Sequence, residues 1–275
     1  PGAVWFVAII TVFGAYLSMR IPSWVEVTEG EVPATLSYHG EDTAVTVVAR
    51  EIRATAPPKN RRQPLGKAVI TALWGNGTIR VLTGFLTLYV AFVAKAQTDH
   101  EPVKQAAMLG LVGAAAAIGN FAGNATGARL ELGKPAIVIL RCTAAATAVT
   151  IVAALTDSLL TAALVALVAS CASALAKVSL DASLQSDLPP ESIASGFGRS
   201  ETVLQLCWVL GGTAGVLLPT EFWLGFTVVS VVLTLGLVQT FLTYRGKTLL
   251  PGFGGNRPEH ADQEITDSYH RQNVS

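Results

Sequence analysis

Phe222-Trp223-Leu224-Gly225-Phe226-Thr227-Val228-Val229-Ser230-Val231-Val232-Leu233-Thr234-Leu235-Gly236-Leu237-Val238-Gln239-Thr240-Phe241-Leu242-Thr243-Tyr244 runs without a single charge. An α-helix rises about 1.5 Å per residue, so roughly 20 residues cross the ~30 Å hydrocarbon layer of a bilayer. Uncharged runs of comparable length cover 1–19, 105–128, 158–176 and 202–220. Segments 68–94 and 135–156 reach it by admitting one charge each, Arg80 and Arg141. The chain is 51% hydrophobic and only 14% charged, against roughly 25% charged in soluble domains. That much apolar length exceeds what one soluble core can hide. The reading is an all-α integral membrane protein with seven transmembrane helices at 2–19, 68–94, 104–125, 135–156, 158–180, 200–219 and 222–243. The lipid bilayer is therefore its first partner.

Orientation follows from Lys and Arg, which favour the cytoplasmic side. The connection 20–67 holds Arg20, Arg50, Arg53, Lys59, Arg61, Arg62 and Lys67, and the tail adds Arg245, Lys247, Arg257 and Arg271. Arg129, Lys134 and Arg199 fall on the same side, while Lys95 and Lys104 lie opposite. The N-terminus is thus expected outside the inner (plasma) membrane, with the long loop and the tail in the cytoplasm. Within that loop, Trp24-Val25-Glu26-Val27-Thr28-Glu29 alternates like a strand and Gly30 offers the turn of a short β-hairpin. Residues 56–64 read as an extended basic linker, and the polar, aperiodic tail 245–275 as disordered. The chain opens on Pro1 straight into an apolar run, with neither a basic n-region nor a cleavage site, and residue 1 is read as a truncation point.

One helix, a long cytoplasmic loop and six further helices resemble the second half of the major facilitator superfamily. The resemblance covers residues 1–245. It implies that 1–19 is the sixth helix of twelve, 20–67 the central loop and 68–244 the C-terminal six-helix bundle. It further implies a missing N-terminal six-helix half, a small-molecule or lipid-like substrate and no cofactor. The loop after span 104–125, with Gly127, Arg129, Glu131, Gly133 and Lys134, is similar to the family's loop motif. It is one residue short, however, and has Leu132 at the first basic position. Gly198-Arg199-Ser200-Glu201-Thr202, leading into Leu210-Gly211-Gly212-Thr213-Ala214-Gly215, resembles the eleventh helix of actinobacterial members.

Surfaces that avoid lipid carry polar and small residues. Asn76, Arg80, Thr83, Gly84 and Thr87 recur at three- and four-residue spacing and share one face. Arg80 lies about 12–18 Å deep by helical rise, beyond easy snorkelling. A charge at that depth costs roughly 2.5–3.5 kcal/mol unless it is paired. It reads either as a structural arginine bonded to carbonyls of a neighbouring helix or as a cationic site for an anionic substrate group or a coupling carboxylate. Lys177 and Asp181 stand four apart and can pair. Glu201 shares a face with Gln205, Trp208 and Gly212. It is a candidate protonatable group, or else a gate salt bridge to Arg129 or Lys134. Trp208 either lines a cavity or packs as an aromatic. Gly119, Gly123 and Gly127 form a small-residue ridge for close helix approach, and Arg141 sits shallow enough to snorkel.

Several chemistries find no motif. A nucleotide-binding G-x-x-x-x-G-K, a G-x-S-x-G and an H-E-x-x-H are all missing from the sequence, and its four histidines fall outside the spans. Cys142, Cys171 and Cys207 are spaced as packing residues, without metal or disulfide spacing. Zero net charge gives no footprint for nucleic acid. The expectation is a non-enzymatic secondary transporter coupled to protons, with a non-transporting anchor or partner module of a cell-envelope assembly as the alternative. In either case, cysteines introduced at Ser37 and Ser268 should resist an impermeant thiol reagent in intact cells. Labelling of either from outside reverses the topology.

Overall fold

In the computed structural model of the chain, residues 9, 12–14, 16–17, 34–36, 63–98, 101–129, 135–250 and 252–255 are described. Residues 1–31 and 32–275 form separate units. In the first, Ile9, Val12, Phe13, Gly14, Tyr16 and Leu17 are helical and exposed. The second contains strands β1 (Ala34–Thr35) and β2 (Gln63–Pro64), then helices α1 (Lys67–Gln97), α2 (Pro102–Gly127), α3 (Pro135–Thr156), α4 (Leu159–Asp187), α5 (Pro190–Leu217) and α6 (Phe222–Tyr244). The segment suited to a β-hairpin, 24–30, lies outside the described residues. Within the loop a short parallel ladder sets Ala34 opposite Gln63 and Thr35 opposite Pro64.

Five helices, α1, α2, α3, α4 and α6, are long and apolar enough to cross a membrane. Their outer surfaces carry Phe121, Ile151, Leu155, Leu164, Val231 and Leu235 in the open. Apolar exposure on that scale belongs against lipid, and the chain is a helical membrane protein of the multi-pass kind. Helix α5 falls outside the five because Arg199, Glu201, Gln205 and its glycines dilute its apolar length. Helices α4 and α5 outrun the spans read from hydropathy the furthest, each at one end. Pro190 starts α5 ten residues early, at a first-turn position where its missing N–H costs nothing. Helix α4 continues from Leu180 to Asp187 through polar residues. Hydropathy ends at the edge of the hydrocarbon, whereas the backbone ladder continues into water.

Helix α1 is the hub. It touches all five other helices, and its apolar stretch is the most deeply buried of the five. Helix α2 lies chiefly on α4, and α1 chiefly on α5. Helix α3 packs on α4, α6 packs on α1, and the pairs α3–α6 and α1–α4 also meet. Exchanging α1 with α4, α2 with α5 and α3 with α6 returns all of these contacts, and the α1–α3 contact alone lacks a counterpart of similar extent.

Glycines bring the two principal pairs together. A Cβ at Gly84 would clash with the backbone carbonyl of Trp208 on α5, and one at Gly211 with that of Val81 on α1. Gly212 and Gly215 continue the seam against Leu88, Phe85 and Tyr89. On α2, Gly119 and Gly123 meet the carbonyls of Leu167 and Cys171 on α4, so the expected ridge does pack helices. At one end of the bundle, Tyr89 is fully buried with its one hydroxyl proton shared between the carbonyls of Pro219 and Glu221, and Phe85, Phe222 and Phe226 enclose it.

At the other end Gly66 N–H donates to Asp187 Oδ2 at 2.9 Å, joining the start of α1 to the end of α4. Order also runs past α6, into a tail whose composition reads as disordered. The Gln239 side chain donates to Thr248 Oγ1 at 3.0 Å and accepts from Leu249 N–H at 3.0 Å. Trp74 Nε1 donates to the Phe253 carbonyl at 3.3 Å. Residues 256–275 lie outside the described residues.

Gly84→Val should lower stability by about 1–3 kcal/mol, as overpacking of a tight seam does. Gly110→Ala, which meets nothing within 4 Å, should be neutral or stabilising. Detergent melting curves separate the two, and equal losses would sink the seam.

Candidate functional site

The polar residues singled out in the sequence fall into three groups. The first is a network across α4 and α5. Lys177 Nζ lies 2.9 Å from Asp181 Oδ1 and 3.1 Å from Glu201 Oε2. Gln205 Nε2 donates to Glu201 Oε1 at 2.8 Å. The Lys177, Asp181 and Glu201 side chains are 31%, 30% and 41% exposed. The Lys177 ammonium also lies 5.8 Å from the centre of the Phe197 ring, on α5. Spacing alone foretells the Lys177–Asp181 pair, one turn apart. Lys177 reaches Glu201 from the neighbouring helix, a partner the sequence reading did not name. Arg129 is exposed in the turn after α2, and Glu131, Gly133 and Lys134 of the loop motif lie outside the described residues.

The second group is the α1 face. Asn76 is 0% exposed, and neither its Nδ2 nor its Oδ1 has a hydrogen-bond partner among the described residues. One turn further on, Arg80 has its Nε buried and equally unpartnered. The guanidinium is near enough to Glu201 to act on it electrostatically, but it makes no ion pair with a described residue. Thr83 donates its hydroxyl to the Arg80 carbonyl at 3.1 Å, and Thr87 to that of Thr83 at 2.7 Å. With their protons engaged, both hydroxyls are left with acceptor capacity only. Thr83 and Thr87 line a cleft of about 280 Å³ between α1, α2 and α4, with Leu86, Val112, Ala116 and Ser170 among its walls.

The third group is structural. Trp208 is half-buried and takes part through its carbonyl at the α1–α5 seam, and it is not among the residues lining the cleft. Gly127 closes α2 against Val178, and Arg141 is exposed on α3. Among the described residues no group of His, Cys, Asp or Glu is disposed to hold a metal. Asp187, Tyr89 and Gln239 tie distant segments together, and no local sequence signal marks them. Gly66 and Asp187 are 121 residues apart.

The chain is 55% identical over 270 residues to an uncharacterized protein of Mycobacterium leprae (strain TN), a match covering 96% of this chain and 45% of that protein. It is 57% identical over 272 residues to an uncharacterized protein of Mycobacterium tuberculosis (strain H37Rv), covering 97% and 47% respectively. The chain thus spans just under half the length of these relatives. No family model matches it. No solved structure matches it either.

The network makes Lys177 its centre, which gives an asymmetry to measure. Lys177→Met strands two carboxylates, whereas Glu201→Gln leaves Lys177 paired with Asp181. The first should cost at least twice the stability of the second in detergent melts. A double-mutant cycle between the two should give a coupling of about 0.5–1 kcal/mol, as for partly exposed pairs. Additive effects would dissolve the network.

Proposed function

We propose that this chain forms the C-terminal half of a proton-coupled secondary transporter of the major facilitator type. In this reading 1–19 is the sixth helix, 20–67 the central cytoplasmic loop and 68–244 a bundle spanning the inner (plasma) membrane six times, α5 included. The tail is cytoplasmic, and the other half is a second six-helix bundle. The observation that carries the reading is the exchange of contacts between α1–α2–α3 and α4–α5–α6. In a chain that crosses the bilayer at every helix, elements three apart run in opposite directions. Such an exchange relates two inverted three-helix repeats, the construction on which rocking transporters are built. Relatives about twice as long leave room for a further half of similar size. The basic-residue bias supports the orientation.

A membrane anchor or partner module is the competing reading, and the ion-pair network favours it in part, since Lys177, Asp181, Glu201 and Gln205 satisfy one another. Asn76 and Arg80 favour the transporter, because their polar atoms are not used within the bundle. For coupling, the Lys177–Glu201 contact bridges two helices that rocking would separate. Losing Lys177 takes from Glu201 its bonded cation and leaves only the more distant Arg80, which favours uptake of a proton and links protonation to the state of the cleft.

A substrate-free test uses Thr87→Cys, on the open side of the cleft, in the natural-length protein with its native cysteines replaced by serine. Alternating access should let an impermeant thiol reagent reach this position in both right-side-out and inside-out vesicles. An imposed proton gradient should shift the ratio of the two rates several-fold, and Glu201→Gln should remove that shift. Labelling from one side only, at every gradient, would leave the anchor reading.

A further inference from the structure

We infer that the α1 face formed by Asn76, Arg80, Thr83 and Thr87, with the adjoining cleft, is a binding site for an amphipathic organic anion: a single carboxylate or phosphate on an apolar body. The inference rests on the transporter reading and adds the substrate class to it. Charge selects the anion. Lys177, the nearby cation on α4, is already held by two carboxylates, whereas the Arg80 guanidinium has a buried Nε and no bonded partner among the described residues. A guanidinium presents donors in a planar fork that matches a carboxylate or phosphate. Asn76 stands one turn away with a donor and an acceptor both unengaged and 0% exposure. Buried polar groups left unpaired cost stability, so a ligand that pairs both residues recovers that cost on binding.

The cleft supplies the rest of the recognition. Its walls are Leu86, Val90, Leu109, Val112, Ala116 and Ala166, all aliphatic. Polarity enters through Thr83, Thr87 and Ser170. The Thr83 and Thr87 protons are spent on the α1 backbone, so these two threonines accept hydrogen bonds and offer an anion nothing. The anionic group is therefore directed to Arg80 and Asn76 at the N-terminal end of the face. The apolar body, with any hydroxyl or N–H it carries, is directed to the cleft. A volume of about 280 Å³ takes a chain or ring system of modest size.

Equilibrium binding on the natural-length protein in nanodiscs of zwitterionic lipid tests this without any transport step. The probes are laurate, dodecanol and inorganic phosphate, each titrated against a fluorescent fatty-acid reporter. Laurate should displace the reporter at least tenfold more tightly than either dodecanol, which lacks the charge, or inorganic phosphate, which lacks the apolar body. Arg80→Gln should remove that preference for laurate over dodecanol, with Arg80→Lys retaining part of it and Asn76→Ala weakening laurate by about three- to tenfold. Equal affinity for laurate and dodecanol in the unsubstituted protein would overturn the inference even if no variant folds. So would an Arg80→Gln variant that melts normally and keeps the preference. Inorganic phosphate binding as tightly as laurate would overturn the amphipathic part. Tight laurate binding lost on doping the nanodiscs with an anionic phospholipid would assign the site to lipid headgroups and overturn it as a substrate site. The vesicle-labelling result is independent of each of these outcomes, so failure here does not count against transport, nor failure there against binding.

Discussion

Close backbone approach at glycine is the condition on which this bundle depends. In lipid no hydrophobic force draws helices together, because acyl chains are as apolar as leucine, so dispersion at short range must do it. Helix α1 could not touch five neighbours if each contact were held apart by large side chains. Gly84 and Gly211 let α1 and α5 meet carbonyl to Cα, and Gly119 and Gly123 do the same for α2 and α4. The two principal helix pairs therefore use one packing chemistry, and it is these pairs that correspond under the exchange of the two three-helix sets. The threonine hydroxyls of α3 are spent on backbone carbonyls. Thr143, Thr147 and Thr150 on α3 donate to their own helix one turn back, which removes them as candidates for ligand chemistry.

Against that background the charged groups divide sharply. Lys177 compensates Asp181 and Glu201 at partial exposure, where water shares the cost and the pairing contributes little net stability. On the hub helix Asn76 is fully buried without a hydrogen-bond partner among the described residues, and half-buried Arg80 has an unpartnered Nε and only the through-space charge of Glu201 near it. The first group is an arrangement that any amphipathic helix pair can reach. The second costs stability in the bundle as it stands, so its explanation has to come from something the bundle meets.

The positions of the five long apolar helices were legible because one variable, apolar length, decides them. Span 135–156 coincides with α3, and 68–94 falls within α1. The ends of α4 and α5 were not legible, since helix continues where hydropathy has stopped. The Lys177–Asp181 pair could be read because a helical turn is a local rule, and the α1 polar face for the same reason. The Lys177–Glu201 contact could not, because it depends on how α4 and α5 are rotated against each other, which many residues fix jointly. Asp187 capping Gly66 and Gln239 gathering the tail fail the same way: each is a single polar residue whose partner is set by tertiary structure. Composition likewise missed the turn after α6, where one buried amide outweighs a polar, glycine-rich stretch.

The position of the unsatisfied groups on α1 carries a further consequence. A polar side chain on a peripheral helix such as α2 could turn to headgroups or water with little disturbance to its neighbours. On the hub helix it cannot, because rotating α1 by the tens of degrees needed to re-aim Arg80 would carry Gly84 out from under Trp208 and bring side chains into that carbonyl. The glycine seam thus fixes the direction of Arg80 and Asn76 as firmly as it fixes the fold. Groups held this way are preorganised: they lose little conformational freedom on meeting a partner, and the ordering cost has already been met by folding. A rigid seam on one side of α1 and unpaired donors beside it are therefore two aspects of one arrangement, in which packing energy holds Asn76 and the Arg80 Nε away from water and in a fixed direction.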